Sequence, residues 1–414
     1  MPTKFLHSFF FLICLFLYIY AFNLNATPLT FRTVFGMLGV VLFIFNKQRL
    51  TKSFWKIVII LIISIVWMVI SQLYNGTDQY DHKLKLVLSF FMNFFGAYFL
   101  FEISKGLVYS ISDLFKYIIY VALLQVGFII LFSISPVIQI FFATIETYDE
   151  NLLYHITYKR LIGIGNAKWF GILTSSALAM SVSIYKAYLS QTAKEQIKYL
   201  IFFIIISIIS FFVARTTLVI FLTAIIFIIV TAIKQRRVLL LNRLLLIGVI
   251  VGIIILSFLI SNFMSREMYD WAFELFLNYN DAGELSSDTT DSLQDWVKNI
   301  HFDLTTLIYG DGRYKGTITT YYGGIDIGYI REIYYWGIFG LFLTIYMYYR
   351  IIKNIYKAYI KVNGRDTNFK MLLLLLFVSY LIILFKGDAS MLSEFLLLFI
   401  FLEYGKLPRE KTNY

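Results

Sequence analysis

The chain has 414 residues, of which 59% are hydrophobic and only 15% charged, with a formal net charge of +11. A soluble domain of that composition could not cover its own surface, because the apolar residues come in runs near the length that crosses a hydrocarbon core. The charge excess lies in short connections between these runs, which points to membrane orientation and away from nucleic acid; the single cysteine, Cys14, excludes a disulfide within the chain.

The first apolar run, residues 5–22, follows Lys4 as a signal peptide would, yet it lacks a small-x-small cleavage site and further runs follow, so it reads as a retained helix. Further membrane helices are predicted at 30–46, 54–71, 84–101, 114–133, 169–189, 197–213, 216–233, 243–262, 327–349, 370–385 and 389–405, giving twelve spans with both termini on one side. In the second of these, Arg32 stands near the start of a short run and is expected to snorkel to the interface. The fold class is therefore an all-α polytopic membrane protein. Its parts are a nine-helix bundle over 1–262, a large outer loop over 263–326, and three helices with a tail over 327–414.

The connections alternate in charge. One side carries Lys4; Lys47, Arg49, Lys52 and Lys56; Lys105 and Lys116; Lys186, Lys194 and Lys198; Lys234, Arg236, Arg237 and Arg243; Arg350, Lys353, Lys357, Lys361, Arg365 and Lys370; and Lys406, Arg409 and Lys411. That is 23 of the 36 basic residues, against only Glu102, Asp113, Glu195, Asp366, Glu403 and Glu410 among the acidic ones, so this is the cytoplasmic side. The opposite side receives the long connections, 134–168 and 263–326. Within the second, Ser292 to Ile300 can form a short helix with Leu293, Trp296 and Ile300 on one face. A loop of that length reads either as a lid that contacts substrate or as a decoration without a role.

Several polar residues fall at the outer ends of the spans. The turn between the seventh and eighth must lie near Ala214 and Arg215, with Thr216 and Thr217 able to cap the helix that follows. A guanidinium at that rim needs an anion, an aqueous cavity or lipid headgroups. Arg160 opens RLIGIGNAKWFG beside Lys159 and Lys168, where Gly163, Gly165 and Gly171 permit a tight re-entry of the backbone. The segment YGDGRYKG holds Asp311, Arg313 and Lys315, and GGIDIGYIREIYYWGIFGLF holds Asp326, Tyr329, Arg331 and Glu332. Asp326 reads as a general base or as a helix N-cap, and Gly337 and Gly340 as sites of close helix packing. Lys386 and Asp388 stand in the last outer turn and can pair with each other. Glu394, within the last span, needs a partner or stays protonated.

Arginine forks match phosphate, so Arg160, Arg215, Arg313 and Arg331 on one face suit a lipid diphosphate held as a leaving group. Asp326, then His301, are the candidate bases for an attacking hydroxyl. No nucleotide-binding glycine loop or HExxH pair is present and the four histidines (His7, His82, His155, His301) are scattered, so no cofactor or metal is expected.

These segments resemble a known family. Arg160 to Gly171 looks like the arginine-x10-glycine loop of bacterial O-antigen polymerases. FFVARTTLVIFLTAIIF is similar to the small-residue-arginine start of a span in the wider O-antigen polymerase and ligase family, and GDGRY with DIGYIREIYYWGIFGLFL to its segment after the large periplasmic loop. Arg313 with Gly324 formally repeats the loop spacing, whereas Arg331 meets Phe342 there. Family ligases carry a histidine where this chain has Asp326, which favours polymerase over ligase. The resemblance implies a metal-independent glycosyltransferase of the bacterial inner membrane, with termini in the cytoplasm. It would join undecaprenyl-diphosphate-linked oligosaccharide donor and acceptor units at the periplasmic face for O-antigen, lipopolysaccharide or capsule. A chain-length regulator would be a further partner. The general form would be that of membrane glycosyltransferases that use lipid-linked sugars. The competing reading is a flippase or transporter of the same lipid-linked sugars, which would show polar residues within span centres and symmetry between halves.

Overall fold

The structure, a computed structural model, describes residues 2–23, 29–145, 161–165, 170–234, 246–257, 266–282, 286–287, 291, 298, 300, 302–316, 322–325, 327–387 and 391–405. Among the described residues it is helical, with one isolated bridge between Asn23 and Thr30. The helices are α1 (Pro2–Ile19), α2 (Phe31–Phe45), α3 (Lys52–Asn75), α4 (Asp81–Ile103), α5 (Ile111–Ile134), α6 (Pro136–Ile145), α7 (Phe170–Leu189), α8 (Ala193–Val213), α9 (Thr216–Lys234), α10 (Leu246–Ser257), α11 (Arg266–Ala282), α12 (Leu304–Tyr309), α13 (Gly328–Asn363), α14 (Thr367–Lys386) and α15 (Leu392–Glu403). Helices α3, α4, α5, α8, α9 and α14 are long and apolar enough to cross a membrane, as a multi-pass membrane protein requires. Each predicted apolar run overlaps a described helix, and those six have the length and hydropathy of a span.

The helix starts are local chemistry. Thr30, Thr51, Ser110 and Thr192 each accept from the backbone N–H three residues on, at 3.2 to 3.3 Å, and satisfy a donor that the helix leaves open. Two helices form the interior. Every residue of α15 from Leu392 to Leu402 is buried, as is α7 from Ile172 to Ile184. α15 sits against α4, α13, α1 and α7, while α7 sits against α8, α5, α14 and α9. The Thr, Ser and Ala side chains of α7 are short, which lets those neighbours close around it.

α2 lies directly on the backbone of α4. A Cβ added at Gly36 would stand 2.8 Å from the Met92 carbonyl oxygen, and one at Gly39 1.8 Å from that of Phe95. Because Gly36 faces Met92 and Gly39 faces Phe95, the two helices run parallel. α13 is far longer than the predicted span, about 54 Å at 1.5 Å per residue. It continues through the basic stretch because Ile351, Ile355, Ala358 and Tyr359 recur on one buried face. Near its start it breaks at Trp336 and Gly337 (φ −153° and +78°). Gly340 closes under the Trp336 indole of its own helix, where an added Cβ would meet the ring at 2.2 Å, whereas Gly337 provides the break and also packs against α12, an added Cβ there standing 2.2 Å from the Ile308 carbonyl oxygen.

Among the described residues, helices α6, α11 and α12 appear where the sequence suggested connection. Pro136 opens α6, where its missing N–H is one that no helix uses. In the large loop the described residues form α11, with Trp271 and Ala272 turned inward, and the short α12, whereas most of the short helix expected at 292–300 lies outside the described residues.

Polar bonds sort the bundle into two ends. At one, His7 meets the Ile103 carbonyl (2.6 Å), Asn46 donates to Tyr98 (3.2 Å) and Asn354 to the Ser53 carbonyl (3.1 Å). This is the end of the lysine-rich connections. At the other, α1, α3, α5, α8 and α14 finish while α2, α4, α7, α9, α13 and α15 begin. There Tyr329 donates to the Leu381 carbonyl (2.7 Å) and the Leu161 N–H to that of Phe212 (3.1 Å).

Candidate functional site

Arg215 occupies the turn between α8 and α9, as its position between two apolar runs dictates. Thr217 is not the cap of α9: its hydroxyl donates back to the Ser210 carbonyl (3.2 Å) and locks the turn from beneath. The Arg215 guanidinium lies 4.9 Å from the Trp271 ring centre, donates to the Trp271 carbonyl (3.2 Å) and forms an ion pair with Glu274 (2.5 Å). Helix α11 of the large loop is thereby tied to the rim of the bundle. Glu274→Gln is expected to loosen it, because a charge-assisted bond becomes a neutral one. Trypsin cleavage after the exposed Arg266 should accelerate about tenfold, since cleavage follows the population of the open form.

Arg331 and Arg313 share a second, aromatic setting. Arg331 is buried, stacks 4.5 Å from the Tyr314 ring centre and donates to its hydroxyl. Arg313 is exposed, 5.8 Å from the Tyr322 ring centre. Burial pushes the Tyr322 phenol above its ordinary range, helped by the neighbouring Asp311 carboxylate, so it is a neutral donor at physiological pH. The YGDGR segment is threaded between α3 and the α13 break. Gln72 donates to the Gly312 carbonyl (2.7 Å), Asn75 to that of Gly310 (2.9 Å), and the Trp67 indole to that of Trp336 (2.8 Å). Gly310, at φ +72°, has no room for a side chain, because an added Cβ would reach the Trp336 nitrogen at 2.5 Å.

Beneath Arg331 lies a charge pair that sequence reasoning passed over. Lys83 of α4 and Glu332 of α13 meet at 3.2 Å with side chains 3% and 1% exposed. Glu332 also accepts from the Trp336 indole (2.6 Å) and Thr344 (3.1 Å), and the Lys83 ammonium sits 3.9 Å from the Trp336 ring centre. The signal was a lysine and a glutamate within the first turns of two apolar helices that begin at the same end; such charges need each other.

The glycine-rich loop re-enters as its spacing suggests. Leu161 to Gly165 is buried, an added Cβ at Gly163 would meet the Gln125 amide nitrogen at 2.1 Å, and Gln125 donates to the Ile164 carbonyl (2.9 Å). Tyr329 is anchored to α14 through its hydroxyl, and Lys386 is the half-buried last residue of α14. Arg160, Asp326, His301 and Asp388 lie outside the described residues.

A cavity of about 390 Å³ opens at the same end, lined by Arg32, Thr30, Thr33, Lys85, Ser89, Asn93, Gly171, Thr174 and Ser393 with Ile19, Ala21, Leu88 and Met92. Arg32 does not snorkel away from the bundle. It donates to the Tyr18 (2.9 Å) and Ile19 (2.7 Å) carbonyls, so it neutralises the C-terminal end of α1 and pins α2 beside it. Glu394 is buried behind the wall, accepting from Thr174 (3.1 Å) and Ser393 (2.8 Å) and lying in the field of Arg32. Its partners are thus two hydroxyls and Arg32. Opposite charges inside two apolar runs of one topology were the available signal. The arrangement provides cations for a negative group at the rim and hydroxyl, amide and carboxylate groups for a polyhydroxy ligand below it. No family model matches the chain, and no curated protein or solved structure is significantly similar to it.

Proposed function

We propose that this chain is a polysaccharide repeat-unit polymerase with twelve membrane spans, set in a bacterial inner membrane with both termini in the cytoplasm. Support comes from one observation above the others: Arg32, Arg215, Arg313, Arg331 and the polar cavity all lie toward the end opposite the lysine-rich connections. By the positive-inside bias that end faces outward. The O-antigen polymerase resemblance of the Arg160, Arg215 and Arg313 segments supplies the substrate class, undecaprenyl-diphosphate-linked oligosaccharides.

In this reading an acceptor hydroxyl attacks the anomeric carbon of the donor chain. The new glycosidic C–O bond forms as the bond from that carbon to the diphosphate oxygen breaks, and the hydroxyl proton passes to a base, Asp326 or His301. Charge grows on the departing diphosphate, and Arg215 and Arg160, supported by Arg313 and Arg331, stabilise it. Arg215 exchanges Glu274 for the diphosphate when substrate arrives, so α11 is held at the rim of the empty site and released as the site fills.

Purified protein given an undecaprenyl-diphosphate-linked repeat unit should produce a ladder of lengthening products. Arg215→Ala should lower the long products by about a hundredfold with the protein still in the membrane, the scale of losing one donor to a developing oxyanion. Transfer to a second lipid without a ladder would make the chain a ligase. No reaction, or full-length product from Arg215→Ala, would sink the assignment.

A further inference from the structure

We propose that the open cavity between α1, α2, α4, α7 and α15 is a binding subsite for an uncharged sugar ring. Its polar atoms are mostly acceptors whose own protons are already committed. The single Thr174 hydroxyl hydrogen is shared between Glu394 (3.1 Å) and the Gly171 carbonyl (3.0 Å), and Ser393 donates to Glu394 (2.8 Å), so both oxygens offer lone pairs only. Asn93 is 1% exposed; its amide nitrogen is on Ser89 (3.0 Å), and its side-chain oxygen has no partner among the described residues. A buried acceptor left open in a cavity wall asks for a ligand that brings hydrogens.

Charge narrows the ligand further. Arg32 uses two of its three nitrogens on the α1 carbonyls, which holds the third in place as a donor. Lys85 at the mouth is paired with Asp81 at 2.9 Å. An ammonium group would meet Arg32, and an anion would find a single guanidinium nitrogen not already held by the α1 carbonyls. A hydroxyl donates and accepts at one atom, so a ring bearing several hydroxyls satisfies Asn93, Thr174 and Ser393 as acceptors and Arg32 as donor together. The volume, about 390 Å³, lies within the range of about 300–1,000 Å³ usual for small-ligand sites. Naming this sugar as part of the acceptor repeat unit rests on the polymerase reading; binding of the ring does not.

The test uses the full chain in lipid nanodiscs and saturation-transfer NMR with methyl β-glucoside, methyl β-galactoside and methyl N-acetyl-β-glucosaminide, with pyrophosphate as a counter-probe read by phosphorus line width. At least one glycoside should receive saturation. Its affinity should fall at least about fivefold in Asn93→Leu and in Ser393→Ala, the loss of one hydrogen bond each, and stay unchanged in the lipid-facing Thr223→Val. Ser393→Ala removes one oxygen, so a loss there is not a folding failure; unfolding temperatures of all variants check this. No transfer to any glycoside, equal transfer in wild type and both variants, or pyrophosphate broadening that depends on Asn93 would overturn the subsite. Glycoside binding without a polymer ladder would remove the polymerase reading and leave the subsite standing. A ladder without Asn93-dependent binding would do the reverse.

Discussion

Glu332→Ala is expected to destabilise the bundle by about 3–5 kcal/mol, the usual consequence of leaving one member of a buried ion pair without its partner. The Lys83 ammonium would remain 3% exposed with only the Trp336 face and Thr344 nearby. The Trp336 indole would lose its acceptor at the break of α13 in the same step. The double variant Lys83→Met with Glu332→Gln should recover most of the loss, because it removes both charges while keeping an acceptor for the indole. Unfolding in mild detergent, followed by tryptophan fluorescence, measures both. A single variant as stable as wild type would show that the pair contributes nothing and that water or lipid headgroups reach Lys83.

The second large effect is expected at Gly39→Val. The new Cβ would fall 1.8 Å from the Phe95 carbonyl oxygen, which is backbone and cannot rotate aside, so α2 must lift from α4. Overpacking of this kind costs about 3 kcal/mol or more when the obstacle is main chain. Lifting α2 would also draw Arg32 away from the α1 carbonyls, so the cavity should open and glycoside binding weaken with stability. Gly127→Ala is the matched control, since an added Cβ there has nothing within 4 Å. Cysteines placed at Phe35 and Phe99, whose rings stack at 5.0 Å, should cross-link readily in an otherwise wild-type chain and poorly with Gly39→Val. Unchanged cross-linking would show that α2 tolerates the bulk.

Much of this architecture is legible without coordinates. A 20-residue apolar run has few alternatives in a bilayer, where every backbone polar group must be satisfied within its own segment, so runs and breaks mark the helices to within a few residues. The caps at Thr30, Thr51, Ser110 and Thr192 and the turn at Arg215 follow the same local rules. Helix α6, helix α11 and the long extension of α13 are less legible, because amphipathic helices are only half apolar and read as connections when spans are sought. Pro136 and the Ile351, Ile355, Ala358 spacing were their traces.

Pairing between distant helices is another matter. Arg215 pointed to an anion, and the one it holds is Glu274, 59 residues away in the large loop. Arg32 read as a blemish on a short span, and folding makes it the lock between α1 and α2 and a wall of the cavity. Sequence alone determined that the chain is a bundle of apolar helices and which residues lie near which end, because hydropathy and charge act on each segment separately. Tertiary structure alone decided that Lys83 meets Glu332, that Arg32 reaches the Tyr18 and Ile19 carbonyls and that α2 rests on α4. Those choices depend on which helices are neighbours, and neighbours are selected by close packing of small residues summed over the whole bundle.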